Sequence, residues 1–439
     1  MVGVPMAHAA PSPSVASRPP RFSTSGLWIR DRAGRDLVLR GVDLSGAEYT
    51  PTDQALPYDA ADFATIRATG ATVVRLPISW ALLEPTPGVF DPAALARVAQ
   101  IVEWAGQAGL MVVLDMHQYD WTRCFGGLGV PTWAVPNCPA TPPSNPAEVF
   151  TDYATAETWF WAHPALQAAL ADTWAAVAQA VGHPKNLLGY DLFNEPGISF
   201  IPPEVFEEQY LVPFYRMVGT RLRAVDPGGL IFVEPSVANG LVNGSSQFLG
   251  PIGLPGVVFA PHQYGLDSLN PDTSGNAYDL AGPDQFALDL SIDRSVAERM
   301  GAAEWLGEWG AITPANSYQP IAYINDDLAA QDQMMLGSAY WSYSHNDSGG
   351  HFTPAEAGAL TRISPLAIGG TPDSFATGGA GLSMSWVADN QTTVVSLPSG
   401  CQPAVEVTSG TATSHVRPGG WLDVRAPAGT AVSIQVRCA

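Results

Sequence analysis

Residues 188–196 read LGYDLFNEP, an apolar run that stops abruptly at Asn194-Glu195-Pro196. A largely continuous apolar run without period-2 alternation is the pattern of a strand covered on both faces, as in a parallel sheet. Proline restricts the residue before it, so the expectation for Glu195 is an extended backbone with no helix starting there.

The same pattern recurs on either side. Leu37–Leu44, Ala71–Ser79, Leu110–His117, Leu187–Pro196, Leu230–Pro235, Val257–Tyr264, Glu304–Trp309 and Ser338–Ser344 are strand candidates. Helix-like stretches lie between them, among them Pro92–Ala108, Ala165–Val181, Glu204–Ala224, Leu290–Met300 and Ile321–Met335. Eight such alternations give an α/β fold, a (β/α)8 TIM barrel. An open doubly wound sheet is disfavoured, because no Gly-rich turn follows the first strand. Phe22–Leu39 reads as a hairpin turning at Ala33-Gly34, placed to plug the barrel bottom.

Past Pro365 the runs become short and are split by Gly, Pro and Asp: Ser383–Ala388, Thr392–Leu397, Ala404–Thr408, Trp421–Val424 and Ala431–Val436. That spacing predicts a small C-terminal all-β sandwich. The expected organisation is a structureless linker and signal-peptide remnant over 1–20, the barrel over 21–364 and the sandwich over 365–439. Ala7-His8-Ala9 has the small-x-small form of a signal-peptidase site, and the expected location is extracellular.

Among 439 residues there are 20 basic and 41 acidic side chains, a formal charge of -21. Such a field repels phosphate backbones and anionic headgroups, which argues against nucleic-acid partners. No apolar run is long enough for an integral membrane segment. The four cysteines fall into two local pairs, Cys124 with Cys138 and Cys401 with Cys438, without a C-x-x-C motif. Local bridges keep each pair within one expected domain.

Chemistry in a barrel of this kind sits at the C-terminal strand ends. Those ends carry Arg75, Asp115 and His117, Asn194 and Glu195, His262 and Tyr264, Glu308, and Trp341. Glu195 closes the fourth strand and Glu308, in AEWLGEWG (303–310), the seventh; the two face each other across eight strands. A pair of carboxylates about 5–5.5 Å apart is what retaining glycoside hydrolysis requires, one as acid/base and one as nucleophile. Taken singly, Asn-Glu-Pro is an ordinary strand exit and Glu308 an ordinary surface acid; it is their pairing that points to catalysis. Glu234 in VEPS also ends a strand, but it lacks the preceding Asn, and its reading is a supporting role. No G-x-S-x-G elbow is present, and Asp115 with His117 is too small a set for a metal centre.

LFNEP followed by GEWG, with DMH before and WSY after, resembles glycoside hydrolase family 5 of the cellulase-like clan. The resemblance implies acid/base Glu195 and nucleophile Glu308. Arg75 would orient Glu308 and lower its pKa; Asn194, His117, His262 and Tyr264 would contact sugar, and Trp341 would stack beneath it. No cofactor and no metal is implied. RDRAGRDLVLRGVD, DMHQ at 115–118 and the aromatic loop after it resemble the endoglycoceramidase branch, which separates oligosaccharide from ceramide. A glycolipid or other glycoside is then the expected partner of a chain expected to be monomeric. Trp121, Phe125, Leu128, Trp133, Phe200 and Ile201 would form an apolar wall, against the plainer reading of loop packing. Two departures bear on specificity: DMHQ continues as YDWTRC, and Glu48 stands near the first strand's end where some members place lysine. The competing readings are a diglycosidase on small aglycones, an endo-β-glucanase on polysaccharide, a non-catalytic carbohydrate-binding barrel, and an adhesion protein working through its sandwich.

Overall fold

The computed structural model describes residues 20–46, 56–197, 201–237, 248–264, 278–310, 319–345, 352–378 and 381–439. The expected linker, apart from Pro20, lies outside these residues, as do Glu48 and Phe200.

Three short strands open the chain: β1 (Phe22–Ser25), β2 (Trp28–Asp31) and β3 (Asp36–Leu37). The barrel follows with β4 (Arg40–Ser45), β5 (Val73–Ile78), β6 (Met111–Met116), β7 (Leu187–Asp191) and β8 (Leu230–Val233). Its sixth position is split into β9 (Val257–Phe259) and β10 (His262–Gln263), its seventh into β11 (Ala303–Glu304) and β12 (Leu306–Trp309), and β13 (Ser338–Ser344) is the eighth. Every pairing is parallel, and β13 bonds both β12 and β4, so the sheet closes on itself. Eight strand positions therefore form the expected (β/α)8 barrel.

Helices wrap it where the sequence permits. Asp91 caps Pro92–Gln107 by accepting from the Ala93 and Ala94 amides, and Pro92 at the first position has no amide proton to leave unpaired. Val98, Ile101, Val102 and Ala105 form its buried face, spaced at helical intervals. The stretch expected as one helix over Glu204–Ala224 is Pro203–Phe206, a π turn over Glu207–Leu211 and Val212–Arg223. Pro213 has no amide proton for the α-helical ladder, and the wider turn precedes it. Pro146–Ala162 is a helix that period alone did not disclose. Its inner face buries Ala154, Phe160 and Trp161 while Phe150 and Trp159 stay exposed, so aromatic residues surround it and blur the periodicity.

Within the barrel, Val73, Val113, Leu188, Leu230, Phe232, Val258, Ala303 and Ala339 pack together with Phe22, Ile29 and Leu37 of the opening strands. The N-terminal segment thus closes the barrel bottom as expected, but as a three-stranded meander. β3 also pairs with β14 (Ser364–Ile368), carrying the meander into a sheet of order β1-β2-β3-β14-β17-β20-β19. In it β17 is Thr393–Ser396, β19 is Thr413–Arg417 and β20 is Trp421–Arg425; the facing sheet, β15-β16-β21-β18, comprises Gly370–Gly378, Gly381–Ala388, Ala431–Cys438 and Pro403–Ser409 in that order. In β16, alternate residues Leu382, Met384, Trp386 and Ala388 are buried, and they meet Val395, Leu422 and Val424 in one core. Arg67 fastens barrel to sandwich: it bonds the carbonyls of Leu397, Gly419 and Gly420 and lies 4.1 Å above the Trp421 ring. Both disulfides form locally, Cys124–Cys138 and Cys401–Cys438.

Candidate active site

Arg75, near the middle of β5, points inward and has no exposed surface. Its Nε lies 2.9 Å from Asp191, and Nη1 lies 3.1 Å from Asp43 and 2.5 Å from Glu308 Oε1. Nη2 lies 2.9 Å from Asn194 Oδ1, 2.8 Å from Glu234 Oε1 and 3.1 Å from Asp115 Oδ1. One cation thus faces five buried carboxylates. Burial above all pushes the Asp43 and Asp191 carboxyls well above their usual range, with Glu308 adding to the first and Glu234 to the second.

Glu308 is gripped at both oxygens: Arg75 holds Oε1, and the Tyr264 hydroxyl donates to Oε2 at 2.7 Å. The Tyr264 carbonyl in turn accepts from Tyr323 at 2.9 Å, which fixes the residue after β10 ends. His262 pairs in register with Glu308 across β10 and β12. Its Nδ1 lies 3.0 Å from Glu195 Oε1 and 3.4 Å from Glu308 Oε2, and its Nε2 lies 3.3 Å from Glu234 Oε2. Burial alone favours a neutral ring, yet the charges of Glu234 and Glu308 and the bonds to Glu195 and Glu234 hold His262 protonated well above its ordinary range.

Glu195 differs from the sequence expectation in two respects. β7 ends at Asp191, and Glu195 has φ +42°, in the left-handed region rather than extended. Proline sterics are overridden by tertiary bonds: the Glu195 amide donates to Glu234 Oε2 at 2.7 Å and its carbonyl accepts from Gln118 Nε2 at 3.0 Å. Its carboxyl lies below its usual range: burial pushes it up, but the hydrogen bond and charge of His262, helped by His117 and Arg75, outweigh burial. Its side chain retains 27% exposure, enough to meet a ligand at the barrel mouth.

Around this pair, Asp115 Oδ2 holds His117 Nδ1 at 2.7 Å, and the Trp341 ring stacks on His117 at 5.4 Å and 12°. Asn194 bonds Arg75 through Oδ1 and the Gln118 carbonyl through Nδ2 at 3.1 Å. All nine residues singled out in the sequence therefore converge. Arg75 and Asp115 are wholly buried and reach a ligand only through the side chains they hold. Asp43, Asp191 and Gln118 were missed; a charged residue inside an apolar run, as in GVDLS and GYDLF, was the available signal. Of the expected apolar wall, Trp121, Phe125 and Leu128 are buried in packed core, while Trp133 and Ile201 are half-buried.

Donor atoms of Glu195, His262 and Glu308 lie within 4.8 Å of one another, as do those of Asp115, Asp191 and Glu234. The guanidinium of Arg75 already bonds all three members of the second group, and imidazole Nδ1 faces both carboxylates of the first. An organic cation thus already sits within each group. What remains open is a mouth with two carboxylates, one doubly anchored and one exposed beside an imidazolium.

The chain is similar to several known proteins. Endoglycoceramidase I of Rhodococcus hoagii (strain 103S) is 27% identical over 376 residues, covering 80% of this chain and 73% of its own. The structure of endo-glycoceramidase II from Rhodococcus sp. as a lactosyl-enzyme intermediate aligns with TM-score 0.81 at 27% identity, over 94% of this chain and 99% of that one. Its complex with ganglioside GM3 aligns with TM-score 0.83 at 26% identity, over 94% and 100%. The family model for Cellulase (glycosyl hydrolase family 5) matches residues 31–347, and the chain belongs to that family of glycoside hydrolases.

Proposed function

We propose that the protein is a secreted retaining β-glycosidase that releases an intact glycan from a ceramide-type aglycone. The observation that carries the retaining mechanism is the approach of Glu195 and Glu308, whose nearest donor atoms lie within 4.8 Å. Inverting enzymes keep their carboxyl groups about 6.5–9.5 Å apart to admit a water. The glycolipid substrate rests on the likeness to the endoglycoceramidases, and secretion on the two disulfides.

In this reading Glu308 attacks the anomeric carbon while Glu195 gives a proton to the departing aglycone oxygen. Arg75 and Tyr264 fix both Glu308 oxygens, so the nucleophile loses little freedom on attack. Glu195, now a carboxylate, takes a proton from the water that releases the glycan. Asn194 keeps a second amide proton for the sugar beside the scissile bond, and Trp341, backed by His117, offers a ring face.

Two experiments test the proposal. Products from a glycosphingolipid, a diglycosylated flavonoid and carboxymethyl cellulose should show intact oligosaccharide plus ceramide from the first alone; cleavage of only the flavonoid or the polymer overturns the aglycone assignment. Glu308→Gln should lose activity by on the order of 10⁴-fold or more. Glu195→Gln should lose about 10²–10⁴-fold on poor leaving groups and far less on activated aryl glycosides. Equal losses on both leaving groups contradict the acid role.

A further inference from the structure

Glu234 follows β8 and is 1% exposed, yet it reaches Arg75, Glu195 and His262 together. Oε1 takes a bond from Arg75 at 2.8 Å, Oε2 takes the Glu195 amide at 2.7 Å, and Oε2 lies 3.3 Å from His262 Nε2. A simple counter-ion for Arg75 needs only the first contact, and four other carboxylates already supply it. The other two contacts act on Glu195: one holds its peptide in a conformation that a residue before proline resists, and the other holds the ring that bonds its carboxylate.

Resting on the reading of Glu195 as acid/base, we propose that Glu234 is a positioning residue that fixes both the place of Glu195 and the proton it uses. The resting proton lies on the His262–Glu195 pair, on Nδ1 facing Glu195 Oε1 at 3.0 Å. As the glycosidic bond breaks, the leaving oxygen takes a proton from Glu195, and Nδ1 supplies it to Oε1, leaving neutral His262 and ionised Glu195. The ring regains its proton when Glu195 takes one from the water that releases the glycan and passes it to Nδ1. No other reactant is needed. His262 carries the positive charge because Glu234, Glu308 and Glu195 surround it; Tyr264 stands beside Glu308, and Arg75 with Asp43, Asp191 and His117 completes the charged groups facing the pair. Glu234 is the member of this set that faces the imidazole at Nε2, on the side away from Glu195 and Glu308, which face Nδ1.

Glu234→Gln keeps size but offers one oxygen, so the amide end opposes either the Arg75 donor or the Glu195 amide. The test is kcat/KM against pH for the parent and Glu234→Gln, on an unactivated glycoside and on an activated aryl glycoside. The alkaline limb should move down by about one pH unit, and the unactivated substrate should lose about 10²-fold against less than about 10-fold for the aryl glycoside. A superimposable pH profile with equal losses on both substrates reduces Glu234 to a counter-ion and overturns the proposal. Glu234→Asp, measured alongside, guards against poor folding of the glutamine variant. It retains charge but is one methylene short, so it should keep the alkaline limb while still losing more on the unactivated substrate; equal losses again overturn the proposal. Glu195→Gln and Glu308→Gln in the same series separate the two levels. Full activity of Glu308→Gln, or of Glu195→Gln on the unactivated glycoside, refutes the catalytic assignment itself, whereas loss of both beside an unshifted Glu234→Gln refutes only the role of Glu234.

Discussion

Replacing Arg75 with lysine is the sharpest perturbation the structure offers. The charge is kept, but a planar fork of five N–H donors becomes an ammonium with three. Arg75 places polar atoms within 3.1 Å of Asp43, Asp115, Asp191, Glu234, Glu308 and Asn194. At least two charge-assisted contacts must be lost, at about 1.5–3 kcal/mol each, so Arg75→Lys should destabilise the fold by roughly 3–6 kcal/mol. The loss should also reach catalysis, since Arg75 Nη1 anchors Glu308 Oε1. Urea denaturation, with kcat measured on the fraction still folded, reads both effects. A lysine variant within about 1 kcal/mol of the parent and within about tenfold in kcat refutes the idea that guanidinium geometry organises this site.

Two further predictions concern stability away from the mouth. Asp327, on the helix Gln319–Met334, is fully buried; Oδ1 accepts from Gln331 at 3.0 Å and Oδ2 has no hydrogen-bond partner among the described residues. Burial pushes its carboxyl up to about 7 from 3.8. The folded state therefore binds this proton more tightly than the unfolded chain, and stability falls as pH rises from about 4 to about 7. Asp327→Asn should remove that slope; set against the cost of an unpaired amide, the net gain above pH 7 is roughly 2 kcal/mol. Urea melts near pH 5 and pH 8 check it, and parallel pH dependences in variant and parent contradict it. Replacing Cys401 and Cys438 with serine opens a loop with a sequence separation of 37 residues and should destabilise the sandwich by about 4 kcal/mol in the chain-entropy model. Calorimetry showing an unchanged transition contradicts that estimate.

The barrel was legible because its strands are covered on both faces and so read as apolar runs, most of them carrying a residue with chemistry at or near the end. The pairing of Glu195 with Glu308 followed from strand count alone, since positions four and seven face one mouth. What escaped was set by contacts between distant segments. No local feature of Asn194-Glu195-Pro196 announces a left-handed glutamate; the Glu234 carboxylate and Gln118 amide that hold it come from other strand ends. Two-residue β3 carries too little pattern to reveal that the opening meander joins the C-terminal sheet. Of the two readings of the aromatic loop, packing is the one Trp121 follows: it meets Tyr153, Phe160 and Phe193 edge-on, a cluster supplied partly by a helix whose aromatics hid its period. Nor does the local sequence disclose why the buried Glu195 carboxyl lies below its usual range, because the hydrogen bond and charge that outweigh burial belong to His262.

In the proposed mechanism Glu308 forms a covalent bond to the sugar. Incubation with an activated 2-deoxy-2-fluoro glycoside, followed by digestion and mass spectrometry of the peptides, tests it directly. One added glycosyl mass is expected on Glu308, with inactivation in step with labelling. Turnover without any trapped adduct, or an adduct on Glu195 or Glu234, contradicts it.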